Sequence, residues 1–124
     1  MKLKEVIKGN YTNYYRLDGT LKYQYSKGSK GYESWREYDK QGNEIHFKDS
    51  KGYERWSEYD KQGNEVHYKN SDGYEQWRKY DKQGNEIYYK NSKGYEWWGE
   101  YDNPEKKKEL VNEKDIKVFK FGKV

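Results

Sequence analysis

The sequence has 124 residues, which fits a single domain, and only 31% of them are hydrophobic against 39% charged. It contains no alanine, which excludes a thick aliphatic core, but sixteen tyrosines, five tryptophans and three phenylalanines bring the aromatic content to 19%, so we predict a thin folded core of rings rather than disorder. The net charge of +4 comes from interspersed acidic and basic residues and demands no polyanion-binding patch, while the lack of cysteine excludes disulfides and thiolate chemistry.

Residues 1–30 are predicted to form an N-terminal cap. The opening MKLKEVIKGN lacks the apolar run of about 7 to 15 residues that a secretory signal needs. No stretch of the chain has the length and apolarity of a membrane span, so we expect a soluble, cytoplasmic protein. Residues 11–25 surround an Asp18-Gly19 turn, which predicts an irregular hairpin, a degenerate copy of the repeat that follows.

Residues 31–102 are a tandem repeat with a period of 21 residues. The segment YDKQGNE begins at Tyr38, Tyr59 and Tyr80, and its first two residues recur at Tyr101 and Asp102. A second marker, Gly-Tyr-Glu followed by tryptophan, has the same period and begins at Gly31, Gly52, Gly73 and Gly94. The segment therefore holds three full units and one half unit.

Each unit contains two turn signals about ten residues apart, for example at 60–63 and 70–73. Both begin with Asp or Asn, whose side chain accepts hydrogen bonds from the next backbone N–H groups, and both end with glycine. That pattern is typical of a hairpin with a type I turn and a G1 bulge, where glycine has a positive φ. Residues 53–59 and 65–69 between the turns have the length and composition of strands, so the unit is a β-hairpin and the array is an all-β meander, in one layer or gently coiled.

The period also constrains how the strands pair. Two such turns advance the chain by an even number of residues, and the period is odd, so each unit must contain one extra residue if its side chains are to keep their faces. Placing that residue in the 70–73 turn aligns the rings in one cross-strand ladder, whereas placing it in the 60–63 turn breaks the ladder, and we prefer the first choice. The predicted ladder is Trp35, Phe47, Trp56, Tyr68, Trp77, Tyr89 and Trp98.

Residues 103–124 are predicted to form a C-terminal cap. The Asp102-Asn103-Pro104-Glu105 sequence is a helix-start signal, which predicts a short basic helix over 104–112. The alternating apolar residues from Ile116 to Phe121 then predict a closing strand. A short hairpin across the whole segment is the alternative.

The repeat resembles the YD, or RHS, repeat, whose motif is Tyr-Asp, two variable residues, then glycine and Asn or Arg. The resemblance covers residues 31–102 and depends on Tyr38-Asp39, Gly42-Asn43 and their copies. It implies β architecture without catalysis, although four units are too few for the closed shells that the family forms in very large bacterial proteins. As a short free-standing array, the chain is similar to those of low-G+C bacteria and their phages. This resemblance implies that the protein acts in a bacterial host and inhibits a host protein such as a defence nuclease.

Two sets of residues could suggest catalysis or metal binding. His46 and His67 are equivalent in neighbouring units and lie about 9.5 Å apart at ~4.8 Å per strand, too far for one zinc ion with ligands at about 2 Å. The repeated aspartates each open a turn, and a carboxylate that accepts backbone hydrogen bonds has a lowered pKa, which suits no general acid. The repeated aspartates are Asp39, Asp60, Asp81 and Asp102. Since identical units do not supply a unique active site, we predict a protein that is not an enzyme and needs no metal or cofactor.

Aromatic rows interleaved with arginine are the predicted binding surface. Tyr and Trp dominate the hot spots of protein interfaces, so another protein is the preferred partner. The alternative is a nucleotide or a nucleic acid, whose bases would stack on the rings while arginines contact phosphates. We expect no membrane partner, and an edge strand of the meander offers a route to a homodimer. The predicted binding residues are Trp35, Trp56, Trp77, Trp98, Tyr68, Tyr89, Arg36, Arg55 and Arg78.

Overall fold

The computed structural model describes residues 2–99, which form ten antiparallel strands in one open sheet. Each strand lies beside its neighbours in the sequence, so the predicted all-β meander is confirmed. The described residues divide into two compact units, each larger than the 21-residue repeat. From here on, the first unit means residues 2–58 and 70–72, and the second unit means residues 59–69 and 73–99. The strands are β1 (Lys4–Lys8), β2 (Tyr11–Tyr15), β3 (Leu21–Lys27), β4 (Glu33–Tyr38), β5 (Glu44–Asp49), β6 (Glu54–Tyr59), β7 (Glu65–Asn70), β8 (Glu75–Tyr80), β9 (Glu86–Asn91) and β10 (Glu96–Trp98).

The turn that joins β4 to β5 has the hydrogen bonds predicted from its sequence. The N–H of Gly42 donates to the carbonyl of Asp39 at 3.1 Å, and Gly42 has a φ of +91°. The N–H groups of Gln41 and Asn43 donate to the Asp39 carboxylate at 3.0 and 2.9 Å. The positive φ explains the glycine, because other residues are strained there. Copies of this turn begin at Asp60 and Asp81.

The turn that joins β5 to β6 has the same geometry and an additional serine contact. The Asp49 carboxylate accepts the N–H groups of Lys51 and Tyr53 at 2.9 and 3.1 Å. The N–H of Ser50 donates to the carbonyl of Glu33 at 2.8 Å, and the Ser50 hydroxyl accepts the N–H of Glu33 at 2.9 Å. Ser50 therefore extends the pairing of β4 with β5 into the turn.

The extra residue that the odd period requires exists, but its predicted place is wrong. In the β4–β5 hairpin, Glu37 pairs with His46 while Tyr38 pairs with Glu44, so Ile45 is a bulge beside the first turn. The same shift occurs in the β8–β9 hairpin, between Lys79 and Tyr80. The second turn contains no extra residue: Lys48 pairs with Glu54 without a shift, and Asp49 accepts the N–H groups two and four residues ahead.

This register overturns the predicted ladder. Trp35 pairs with Lys48, and Trp56 pairs with His46, whereas Phe47 pairs with Arg36 on one strand and Arg55 on the other. Since directly opposed residues share a face, the tryptophans and Phe47 lie on opposite sides of the first unit. In the second unit, Trp77 pairs with His67 and Lys90, and Trp98 pairs with Tyr88. Tyr68 pairs instead with Gln76. Tyr89 pairs with Arg78 on one neighbouring strand and with Trp97 on the other.

The N-terminal residues form a variant of the repeat and an additional strand. The turn between β2 and β3 has the same backbone bonds as the later units, with Gly19 N–H donating to the Arg16 carbonyl at 2.9 Å, and the same bulge lies between Tyr14 and Tyr15. We did not predict strand β1, which pairs with β2 across the two-residue Gly9-Asn10 turn.

The core is thin, as the composition predicts. Phe47, with 6% of its surface exposed, is the only buried hydrophobic side chain among residues 2–99. The one helical segment in that range is the three-residue 3₁₀ turn Ser29–Gly31, so no described helix could cross a membrane. The predicted helix at 104–112, the closing strand and the alternative hairpin lie outside the described residues, as do Tyr101 and Asp102.

Candidate functional site

The side of strands β1–β6 that carries the tryptophans is the Trp face of the first unit. Six rings lie on it, in three cross-strand pairs: Tyr14 with Tyr23, Tyr25 with Trp35, and His46 with Trp56. The Tyr25 and Trp35 centroids lie 5.6 Å apart with the planes tilted by 42°, and the His46 and Trp56 rings stack at 5.5 Å and 15°. Tyr23, Trp35 and Trp56 remain 38%, 38% and 37% exposed. These pairs hold large apolar surfaces in fixed positions at the solvent boundary.

Charged side chains fix the rings of the Trp face from the sides. His46 Nε2 lies 2.7 Å from a Glu54 carboxylate oxygen, and the Lys48 ammonium lies 5.7 Å from the centre of Trp35. Acidic residues outnumber lysines on this face, so its charge is negative while the whole chain is positive. The charged residues are Glu5, Glu33, Glu37, Glu54 and Glu58 against Lys22, Lys27 and Lys48.

One end of the Trp face contains an aromatic cleft of about 300 Å³. Leu3 and the rings of Tyr14, Tyr23, Tyr25 and Trp35 line it, together with Gln24 and Arg36, a directly opposed pair whose positions alternate with those of Tyr25 and Trp35. The Tyr14 hydroxyl donates to Glu5 at 3.2 Å, and the Tyr25 hydroxyl donates to Glu33.

The pKa values of the two phenols of the cleft are raised above their ordinary value. Desolvation and the hydrogen bond to Glu5 raise the pKa of Tyr14, and the hydrogen bond to Glu33 and desolvation raise the pKa of Tyr25. The phenols thus remain neutral hydrogen-bond donors at ordinary pH, and Glu5 and Glu33 supply the negative charge beside the cleft.

The opposite side of the first unit, the Phe face, is built around one ring and two guanidinium groups. The guanidinium carbons of Arg36 and Arg55 lie 4.7 and 4.3 Å from the centre of Phe47. Glu44 bridges the two arginines, with its carboxylate oxygens 3.1 Å from Arg36 Nε and 3.0 Å from Arg55 Nε. The arginines that we expected to contact a partner are therefore part of the fold.

The second unit repeats these features on its own two sides. His67 stacks on Trp77 at 5.6 Å and 17°, and Tyr88 lies 5.7 Å from Trp98. On the other side, the Arg78 guanidinium lies 4.7 Å from the centre of Tyr89. Glu86 accepts a hydrogen bond from Arg78 Nη1 at 2.8 Å.

The predicted binding residues are thus not a single surface. In the first unit, Trp35 and Trp56 lie on the side opposite to Arg36 and Arg55. The predicted residues of the second unit are also divided between its two sides. Trp77 and Trp98 lie on one side, and Tyr68, Tyr89 and Arg78 lie on the other.

Sequence reasoning missed the aromatic cleft, although a signal for it exists. Tyr23 and Tyr25 are separated by one residue, as side chains on one face of a strand must be, and Tyr14 pairs with Tyr23 across the hairpin. Because the segment lacks the repeat's YDKQGNE motif, we interpreted it only as a cap.

The carboxylates of the repeated turns are committed to the backbone. Asn64 N–H donates to Asp60 at 2.9 Å, and this hydrogen bond leads the interactions that hold the pKa of Asp60 below 3.8. Within residues 2–99, no three His, Asp or Glu side chains come together as a metal site would require.

Comparison with known proteins adds no relative. No protein-family model matches the chain, and none of the curated proteins is similar to it in sequence. The resemblance to the YD repeat therefore stays an interpretation of the motif.

Proposed function

We propose that the protein is a non-enzymatic binding module that holds another protein on the Trp face of its first unit. The observation that carries the proposal is the exposure of Tyr23, Trp35 and Trp56, each more than one third accessible, on rigid paired strands. Rigid aromatic rings bind a partner at little cost in side-chain entropy and dominate interface hot spots. In the setting that the resemblance implies, the partner is a bacterial host protein such as a defence nuclease.

The balance of charge also favours a protein over a polyanion. Excess glutamate on the Trp face of the first unit repels phosphates, and the arginines expected to contact phosphates are held by Glu44. The turn aspartates accept backbone hydrogen bonds, and the repeated units present copies of one arrangement, which together support a role without catalysis.

Capture from a bacterial lysate tests this function. We expect the full-length protein to retain a defined partner, and the double variant Trp35→Ser/Trp56→Ser to lose it while nuclease treatment has no effect. The matched control is Leu17→Ser/Tyr95→Ser, which removes exposed apolar side chains, 85% and 52% accessible, from outside the Trp face. Urea unfolding must show that both variants are folded. Equal capture by the two double variants contradicts the proposal.

A nucleic acid is the second candidate, and the second unit favours it. The ammonium groups of Lys79 and Lys90 lie 5.6 and 5.8 Å from the centres of Tyr88 and Trp77, which places cations beside rings. A salt titration with a single-stranded oligonucleotide distinguishes this function, because phosphate contacts make affinity fall steeply with salt. Absence of binding at low salt eliminates it.

A further inference from the structure

We propose that the aromatic cleft binds the guanidinium group of an arginine on the partner. This inference specifies the chemistry of the partner and so rests on the proposed function. The cleft lies at the N-terminal end of the Trp face, within the first unit, and Leu3, Tyr14, Tyr23, Tyr25 and Trp35 are among the residues that line it.

The size and lining of the cleft fit one side chain rather than a folded segment. Its volume of about 300 Å³ lies at the lower end for ligand sites, which span roughly 300 to 1,000 Å³. Four of its walls are aromatic rings, and Tyr23 and Trp35 are accessible from solvent. Aromatic faces attract cations through their quadrupoles, and arginine also stacks on them with its planar group.

Charge decides which kind of side chain completes the cleft. Glu5 and Glu33 accept hydrogen bonds from the hydroxyl groups of Tyr14 and Tyr25, so two carboxylates lie next to residues that line the cleft. A phosphate or a carboxylate would be repelled by them. An apolar side chain would contact only the rings, whereas a guanidinium group can stack on a ring and also interact with a neighbouring carboxylate.

The same chain contains this combination of ring, guanidinium and carboxylate in two other places. Arg36 and Arg55 flank Phe47 and share Glu44 in the first unit. Arg78 lies over Tyr89 and donates to Glu86 in the second unit. The cations near the rings of the aromatic cleft are lysines, with Lys22 at 4.9 Å from the centre of Tyr23 and Lys48 at 5.7 Å from that of Trp35. A partner arginine would supply the planar guanidinium group that the other two sites contain.

The test compares two peptides that differ only in charge, acetyl-Gly-Arg-Gly-amide and its citrulline analogue. Citrulline keeps the planar shape of arginine but is neutral. Binding to the full-length protein is followed by the NMR signal of the Trp35 indole N–H, identified by its disappearance in Trp35→Phe. We expect the arginine peptide to shift this signal and to bind about five- to tenfold more tightly than the citrulline peptide.

Two variants locate the site, and one serves as a control. Glu33→Gln should weaken the arginine peptide several-fold without changing the weaker citrulline binding, and Tyr23→Ser should weaken both peptides. Leu17→Ser, which lies outside the cleft, should change neither. Glu33→Gln retains the shape of the side chain, so it decides the question even if Tyr23→Ser fails to fold.

The outcomes separate this inference from the proposed function. Equal affinity for the two peptides, or no binding of either, overturns the arginine site, while partner capture that depends on Trp35 and Trp56 still supports a protein-binding module. Arginine-selective binding together with capture that is insensitive to Trp35→Ser/Trp56→Ser contradicts the proposed function and leaves the arginine site standing.

Discussion

The guanidinium carbon of Arg55 lies 4.3 Å from the centre of the Phe47 ring, in a pair of directly opposed residues on neighbouring strands. Phe47 is the only buried hydrophobic side chain among residues 2–99, and its cover is a pair of arginines rather than a second layer of structure. Long polar side chains with apolar stems thus cover the ring of this sheet, as a layer of aliphatic side chains does in other proteins. The arrangement makes the stability of the first unit sensitive to one ring.

We expect Phe47→Ala to lower the free energy of unfolding by about 3 kcal/mol, because it removes the buried ring and leaves a gap beneath two guanidinium groups. Urea unfolding followed by circular dichroism measures the change. Phe47→Tyr is the matched control, since Tyr68 and Tyr89 occupy the equivalent positions in the later 21-residue repeats. It should lower the free energy of unfolding by less than about 1 kcal/mol. Equal losses in the two variants would show that ring burial is not the cause.

The repeat and its turns could be predicted because their signals are local. Asp39 and Gly42 determine their turn through backbone groups within four residues, and the copies follow from the period. The register could not, because an extra residue at Ile45 or in the second turn preserves the alternation equally well. Choosing the arrangement that aligned the most rings gave the wrong answer, since the side chain of Asp49 fixes the length of its turn.

The candidate site was predicted in part for the same reason. Trp35 and Trp56 were identified as surface rings from their repetition, but Tyr14, Tyr23 and Tyr25 were not, because their segment departs from the repeat. Which arginines are available to a partner depends on the pairing of Glu44 with Arg36 and Arg55, which only the register reveals.

Arg16 illustrates a contact that no sequence motif announces. The residue is 9% exposed, and its guanidinium group donates to the carbonyls of Leu21 and Tyr38 at 3.2 and 2.6 Å and to the Thr20 hydroxyl at 3.1 Å. We expect Arg16→Met to lower the free energy of unfolding by about 2 kcal/mol, because partly buried carbonyl oxygens lose a charged donor.

Arg16→Lys is the graded control for this prediction, because it keeps the charge but cannot donate in a planar fork. Its stability in urea should lie between those of the wild type and Arg16→Met. A methionine variant as stable as the wild type would mean that the Arg16 hydrogen bonds only replace bonds to water.

The serine of the second turn should contribute through a single hydrogen bond. The Ser71 hydroxyl accepts the N–H of Glu54 at 2.9 Å, and the Ser71 N–H donates to the Glu54 carbonyl at 2.8 Å. Ser71→Ala removes only the first contact, so we expect a loss of about 1 kcal/mol in urea unfolding and faster amide exchange at Glu54. Ser71→Thr keeps the hydroxyl and should show neither change. Unaltered exchange at Glu54 in the alanine variant would contradict this role.

Acid sensitivity should come in part from Asp60, which opens the turn between β6 and β7. Backbone hydrogen bonds, with that of Asn64 first, hold the pKa of Asp60 below 3.8 in the folded protein. A carboxylate whose pKa is lower when folded stabilises the protein fully above its unfolded pKa, and that stabilisation is lost as the pH falls through the folded pKa. Urea midpoints should therefore stay level down to about pH 4 and then decrease.

Asp60→Asn tests the cause of this decrease. Asn91 already opens a turn of the same geometry, where its side-chain oxygen accepts the N–H groups of Lys93 and Tyr95 at 2.9 and 3.3 Å. Asparagine at position 60 should consequently preserve the turn at neutral pH while removing the titrating group, so the variant's midpoints should decrease less between pH 4 and pH 2. Parallel pH profiles for the wild type and Asp60→Asn would assign the acid sensitivity to other carboxylates, because the turn would then gain nothing from the charge of Asp60.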